Sequence, residues 1–182
     1  MLFRSTSMLY LEHANNYIEE RDELIPKCLD VIALAINEIR KLSRTLIVGD
    51  ISEIGLKKAI DEMIANIVLV KKMPISLHME DFPEKEIDED VKITIFRIIQ
   101  EQLTNILKHA NASCVNIVLK KEGKQITLEI GDNGKGFDTT LHRKGVGITN
   151  INSRVSLYDG EVKIDSSPGK GCTLKVALQL KN

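Results

Sequence analysis

The chain has 182 residues, enough to bury a core without disulfide or metal staples, and short enough for one domain plus an appendage. Hydrophobic residues are 43% and charged residues 28%, the balance of a folded chain rather than a disordered one. With 25 basic and 26 acidic side chains, a net charge of −1, no Trp and 4% aromatics, it lacks both the charge footprint and the stacking platform of a nucleic-acid binder.

Residues 1–48 contain no convincing strand. Leu9, Ala14, Tyr17 and Ile18 form a rough helical face, and Glu19 to Asp22 make a polar corner. A second helical pattern runs from Asp22 to Leu46. Its apolar positions Cys28, Ile32, Ala35, Ile39, Leu42 and Leu46 step alternately by four and three, the rhythm of a coiled-coil seam. This predicts a helical hairpin that completes its core by pairing with a second copy. Packing on its own globular domain is the alternative.

Beyond Gly49-Asp50 the periods alternate. Ile54 to Lys72 reads as helix, with Leu56, Ile60, Ile64 and Ile67 at helical spacing, and Pro74 ends it. Ile75 to Met79 alternates as a strand. The acidic stretch Glu80 to Asp90 is a loop leading into a helix start, where acids suit the dipole. Val91 to Ala110 is an amphipathic helix. Strands follow at Cys114 to Leu119 and Gln125 to Ile130, joined by a turn at Lys120 to Lys124. A glycine-rich stretch spans Gly131 to Gly147, and a helix runs from Ile148 to Tyr158. Strands Glu161 to Asp165 and Cys172 to Leu180 are joined by Ser166 to Gly171. The order α, β, α, β, β, loop, α, β, β predicts an α+β fold, a two-layer α/β sandwich over residues 54–182, preceded by the hairpin of residues 1–48.

Cys28, Cys114 and Cys172 are scattered, lack metal-ligand spacing and are expected as buried thiols in a reducing compartment. No apolar run approaches a membrane span, and the first residues lack the basic-then-apolar order of a signal peptide. The expectation is a cytoplasmic chain without membrane contact of its own, whose parent protein is free to be membrane-anchored.

Four clusters carry chemistry. Glu101, Asn105 and Lys108 share one helical face, with His109 beside them. An amide oxygen there can ligate a hard divalent ion, and the cations can face phosphate oxygens. Asp132-Asn133-Gly134-Lys135-Gly136 follows a strand, placing a carboxylate beside glycines that let backbone approach a ligand. Lys144-Gly145-Val146-Gly147 opens a helix, where free N–H groups suit phosphate. Gly169-Lys170-Gly171-Cys172-Thr173 enters the last strand. Singly, each also fits a solvated face or a common turn. His78, alternating in a strand, is read as a surface residue, and His142 lies in the loop before Gly145.

The order of the four resembles the nucleotide-binding signature of the GHKL superfamily, which includes gyrase B, chaperones, sensor histidine kinases and MutL. Glu101-x-x-x-Asn105 resembles the N box, Asp132-x-Gly134-x-Gly136 the G1 box and Gly145-x-Gly147 the G2 box, with Gly169-x-Gly171 the last glycine motif. Asn105-Ile106-Leu107-Lys108-His109-Ala110-Asn111-Ala112 is similar to the form found in NarL-type sensor histidine kinases, as is the short lid from Phe137 to Lys144. Ala35 to Ser43 resembles the second helix of that group's dimerisation and phosphotransfer hairpin. The group's phosphoacceptor motif, H-D-x-x-x-Q, is absent; His13 has the wrong neighbours. The expectation is therefore a chain that begins just after the acceptor histidine and does not label itself.

The resemblance implies an ATP-binding catalytic core with Mg²⁺, acting as a protein-histidine kinase. Its partners are a response regulator receiver domain and a second copy bound through the N-terminal helices. It implies that Asn105 ligates Mg²⁺ and that Asp132 accepts a hydrogen bond from the adenine amino group. Gly134 and Gly136 lie under the base, and Gly145, Val146 and Gly147 line the phosphates. Lys108, His109 and Lys144 neutralise phosphate charge, and Glu101 is the polar catalytic residue. Thr173 is carried in the nucleotide-binding set, beside Cys172, which departs from the Thr or Ser that the family commonly has after the last glycine. Two other readings compete: an anti-sigma-type serine/threonine kinase, which needs no hairpin, and a non-enzymatic dimerisation module with vestigial ATP binding.

Overall fold

A computed structural model describes residues 51, 53–79, 82–140 and 146–180. The chain divides into two units, Met1–Gly49 and Asp50–Asn182, and all the described residues belong to the second. The hairpin expected over residues 1–48, with Cys28 and His13, lies outside them, as do Lys144, Gly145 and His142.

Three helices are described: α1 (Leu56–Lys71), α2 (Glu89–Asn105) and α3 (Val146–Val155). The strands are β1 (Ile75–His78), β2 (Val115–Glu122), β3 (Gln125–Asp132), β4 (Glu161–Ser166) and β5 (Cys172–Gln179). They form one sheet in the order β1-β2-β3-β5-β4. Only the β1–β2 pair is parallel, and α2 is its crossover. The helices pack together, and α1 on β1, α2 on β3 and α3 on β4 and β5 make the second layer. The result is the α+β two-layer sandwich expected from the element order.

Alternation along the strands separates core from solvent. Val115, Ile117 and Leu119 of β2, Ile126, Leu128 and Ile130 of β3, and Leu174, Val176 and Leu178 of β5 are buried. Ile95, Ile98, Ile99 and Leu103 meet them from α2, with Ile106 just beyond its end, at near-zero exposure, as their helical spacing requires. The opposite sheet face carries Lys120, Glu129, Lys163 and Lys175, with ion pairs Lys175–Glu129 (3.2 Å) and Lys163–Glu161 (3.3 Å). Leu56, Ile60 and Ile64 anchor α1. Its start is capped from 28 residues away: the Glu84 carboxylate accepts from the amides of Leu56 and Lys57, the latter at 3.3 Å.

Boundaries differ from the sequence expectation where tertiary contacts act. The β2–β3 turn contracts from five residues to Gly123-Lys124, because Gly123 takes φ +58 and the strands pair through Glu122 and Gln125. The helix expected to reach Ala110 stays α-helical only to Asn105, and Ile106–Ala110 is a π-turn ending in Asn111 at φ 51. Cys114 is exposed rather than buried, because it lies in the connection before the β2 pleat begins. Cys172 is buried as expected, and His78 is exposed as expected. Among the described residues no helix is long and apolar enough to cross a membrane.

Candidate functional site

The chemistry-bearing segments meet at one end of the sheet. The end of β3, the starts of β2 and β5 and the end of β4 share this edge: Asp132 pairs with Val115 on one side and Cys172 on the other, and Cys172 pairs with Ser166. Paired residues point to the same face, so Asp132 stands beside Cys172 on the side that carries the helices.

Asp132 is held by the turn that follows it. The Gly134 amide donates to its Oδ1 at 2.8 Å. Burial raises the Asp132 pKa above its ordinary 3.8, and the Gly134 bond pulls the other way. The half-buried carboxylate is therefore a strong acceptor aimed along the inner face. Cys172 sits against it, and burial and the Asp132 charge push the thiol up to about 11, opposed by a Ser166 hydrogen bond.

The loop after Asp132 is pressed against two other segments. Gly134 is buried, and a Cβ there would lie 2.3 Å from the Ala110 carbonyl oxygen at the end of the π-turn. The Lys135 amide donates to that same oxygen at 2.8 Å. On the other side the Gly169 amide donates to the Lys135 carbonyl (2.7 Å), and the Phe137 amide to Ser166 Oγ (3.0 Å), which donates in turn to the Gly171 carbonyl (2.8 Å). Gly136 (φ +58) and Gly171 (φ +73) make this approach possible: their missing Cβ atoms would lie 2.1 Å from the Ser167 carbonyl and 2.0 Å from the Asp132 carbonyl.

The second half of the site lies on α2. Glu101 and Asn105, one turn apart, point at the start of α3. A Cβ on Gly147 would stand 2.5 Å from Glu101 Oε1 and 3.0 Å from Asn105 Oδ1. The first turn of α3 thus lies flush on the polar pair, its start beside an amide oxygen and a carboxylate. Lys108 and His109 are exposed on the π-turn, on the same α2 end.

Of the residues expected from sequence, Glu101, Asn105 and Gly147 come together, and Asp132, Gly134 and Gly136 come together with Gly171. Lys108 and His109 flank the first group. Val146 begins α3, while Lys144 and Gly145 lie outside the described residues. Thr173 stands apart. It pairs with Gly131 and has its hydroxyl 3.5 Å from that glycine's missing Cβ, on the sheet face opposite Asp132. A strand turns successive side chains to opposite faces, so the neighbour of Cys172 cannot share its view of the site. Sequence reasoning missed Asn133 and Ser166, which lace the loop together. The available signal was positional: each is a short polar residue at a strand end, where such side chains bond nearby backbone. Two concavities of about 510 and 380 Å³ lie away from these residues, beside Leu157 and on the outer sheet face, and hold none of this chemistry.

Comparison with known proteins agrees with this architecture. The chain is 29% identical over 171 residues to the sensor histidine kinase LiaS of Bacillus subtilis, covering 93% of this chain and 47% of that protein. It is 31% identical over 168 residues to the Bacillus subtilis sensor histidine kinase ComP, covering 89% of this chain and 21% of that protein. Over 102 residues it is 36% identical to the histidine-protein kinase/phosphatase DegS of Brevibacillus brevis, 56% of this chain and 25% of that protein. The chain thus spans half or less of the length of these relatives. In structure it is similar to a blue-light activated histidine kinase of Erythrobacter litoralis (TM-score 0.65, 15% identity, 94% of this chain and 62% of that one). It is also similar to the histidine kinase AdeS of Acinetobacter baumannii (TM-score 0.62, 12% identity, 95% of this chain and 96% of that one). At these identities the likeness speaks for the fold. The family described as histidine kinase-, DNA gyrase B-, and HSP90-like ATPase matches residues 90–182, which hold all four motifs, and the chain therefore belongs to this family of ATP-using domains.

Proposed function

We propose that this chain is the ATP-binding catalytic core of a sensor histidine kinase, which moves the γ-phosphoryl group of ATP to a histidine for relay to a response regulator receiver domain. The observation that carries the reading is the convergence of Glu101 and Asn105 on Gly147, with the Asp132 loop tied to the end of the same helix. The relatives named above, all sensor histidine kinases or their like, support the histidine as acceptor. Pairing of two copies through the N-terminal segment belongs to the reading too, and rests on the seam from Cys28 to Leu46.

In this reading Asp132 accepts a hydrogen bond from the adenine amino group, since an ionised carboxylate only accepts. Its partial burial strengthens that bond. Gly134 and Gly136 let the base lie close to backbone. The start of α3, with Lys108, His109 and Lys144, faces the phosphates. The donor set also fits Mg²⁺. Asn105 supplies a hard amide oxygen beside the Glu101 carboxylate, in a cradle that a Cβ on residue 147 would fill. Held by Asn105 beside Glu101, the ion would supply positive charge against the phosphates. Glu101 orients the polar groups around the ion and is placed to take a proton. Phosphoryl transfer depends chiefly on such positioning and charge stabilisation.

The test is titration of the chain with ATP, with and without Mg²⁺. Wild type should bind in a Mg²⁺-dependent manner, and Asn105→Ala should lose that dependence. Equal affinity of the variant with Mg²⁺ sinks the assignment of Asn105. Added to a hairpin fragment bearing an H-D-x-x-x-Q motif, the chain should produce acid-labile label. Acid-stable label would instead support a serine/threonine kinase, and acid-labile label on His13 would place the acceptor within this chain.

A further inference from the structure

Asn133 occupies an x position of the Asp132-x-Gly134-x-Gly136 motif, and no role follows for it from the motif itself. In the structure its exposed side chain makes three hydrogen bonds to one segment 19 and 20 residues away. Its Oδ1 accepts from the amides of Ser113 (2.9 Å) and Cys114 (3.0 Å), and its Nδ2 donates to Ser113 Oγ (2.8 Å). That segment is the link between the π-turn of α2 and the start of β2. An amide side chain that satisfies two successive backbone donors, and in turn finds an acceptor, is a clamp rather than a solvated surface group.

The clamp has a defined load. Asn133 lies between Asp132, whose carboxylate is oriented by the Gly134 amide, and Gly134, which is seated on the Ala110 carbonyl. Lys135 bonds the same carbonyl. The turn after β3 is therefore fixed at two points to the stretch that joins α2 to β2. One is the backbone bond from Lys135 to Ala110, and the other is the Asn133 side chain. The second sets the path of the residue next to Asp132, and so the direction in which that carboxylate leaves the sheet.

We infer that Asn133 is a positioning residue for nucleotide recognition: by clamping the Asp132 turn to the Ser113-Cys114 segment, it holds the base-reading carboxylate in register with the Asn105 end of α2. The inference rests on the ATP site proposed above. Asn133 does not touch the nucleotide in this account. Its contribution is that Asp132 needs no reordering when the base arrives, a saving in binding cost.

The experiment uses the full chain and three probes: ATP with Mg²⁺, GTP with Mg²⁺, and inorganic tripolyphosphate with Mg²⁺. Asn133→Ala should weaken ATP about tenfold, the worth of two lost backbone bonds, and reduce ATP-over-GTP discrimination several-fold. Tripolyphosphate affinity should stay within about twofold of wild type, because the Asn105 end keeps its own contacts. Asn133→Asp retains both acceptor bonds and should recover most of the ATP affinity, and Ser113→Ala, which removes one bond, should cost less than about threefold. Unchanged ATP affinity and discrimination in Asn133→Ala overturn the inference. So does an equal loss for ATP and tripolyphosphate, which marks general loosening. If wild type binds no ATP, the site proposal itself fails and this inference falls with it, an outcome distinct from a wild type that binds and an Asn133→Ala variant that binds equally well.

Discussion

The Asp132 end of the candidate site and the Asn105 end both depend on glycine packed where no side chain fits, but against different neighbours. At Gly134, Gly136 and Gly171 the missing Cβ would strike backbone carbonyls at 2.3, 2.1 and 2.0 Å. At Gly147 it would strike the tips of Glu101 and Asn105. A carbonyl inside a bonded turn cannot retreat, whereas a side-chain tip can turn away. One end is thus built from the path of the chain, and the other from side-chain chemistry resting on a helix. Damage to the first should appear as lost fold, and damage to the second as lost binding with the fold kept.

Alanine substitutions provide the largest effect by which this contrast can be broken. Gly171→Ala and Gly136→Ala each combine a left-handed backbone with a carbonyl overlap and should cost about 3 kcal/mol or more in a denaturant titration. Gly169 also has positive φ (+80) but nothing within 4 Å of its missing Cβ, so Gly169→Ala should cost only about 1–2 kcal/mol. Gly147→Ala should cost about 1 kcal/mol or less while weakening Mg²⁺-dependent ATP binding about tenfold. A Gly147 variant that unfolds as readily as the Gly171 variant would erase the distinction between the two ends.

Asp132 sharpens the same contrast from the opposite side, because the proposed ATP site asks of it a charge that burial makes costly to the fold. Loss of a charge-assisted acceptor in Asp132→Asn should weaken ATP about 10- to 100-fold. Its folded-state pKa is raised by burial above 3.8. The stability linked to the neutral form is therefore full below pH 3.8 and lost as pH rises through the folded-state value. At pH 7 the ionised carboxylate is a standing cost that asparagine removes, while its amide oxygen still accepts from Gly134. Asp132→Asn should melt at or above the wild-type temperature at pH 7, and the difference should shrink toward pH 3.5. A variant less stable than wild type at pH 7 would show that the charge supports the fold.

How far the sequence revealed these features follows the range of the interactions. Helix periodicity and strand alternation are local, so the α+β order and the core face of α2 were legible from Ile95 to Ile106. Glu101 with Asn105, and Asp132 with Gly134, were legible because a turn of helix and a tight loop join them. The π-turn at Ile106–Ala110 was not, since its shape is tied to the bond between the Ala110 carbonyl and Lys135, 25 residues on. The Glu84 cap on α1 spans 28 residues, and the Asn133 clamp about 20, both beyond any periodic signal. Thr173 shows a different limit. Spacing placed it one residue from Cys172, but in a strand one residue is the opposite face.

The smallest effect concerns the two described cysteines, which sit on either side of the Asp132 turn in opposite environments. Cys114 is exposed, and Cys172 is buried with its pKa pushed up to about 11 from 9.0, first by burial and then by the Asp132 charge. The thiolate is the reactive form, so a maleimide at pH 8 should label Cys114 well before Cys172, as peptide mapping would show. Stability linked to the neutral Cys172 thiol is full below pH 9.0 and lost as pH rises through about 11, so the chain should soften over that window. Asp132→Asn removes one of the charges that hold the thiol up. It should therefore bring forward Cys172 labelling at pH 9–10, by a factor of only a few because burial still dominates. Labelling that ignores the residue at position 132 would separate the two side chains that the sheet register sets side by side.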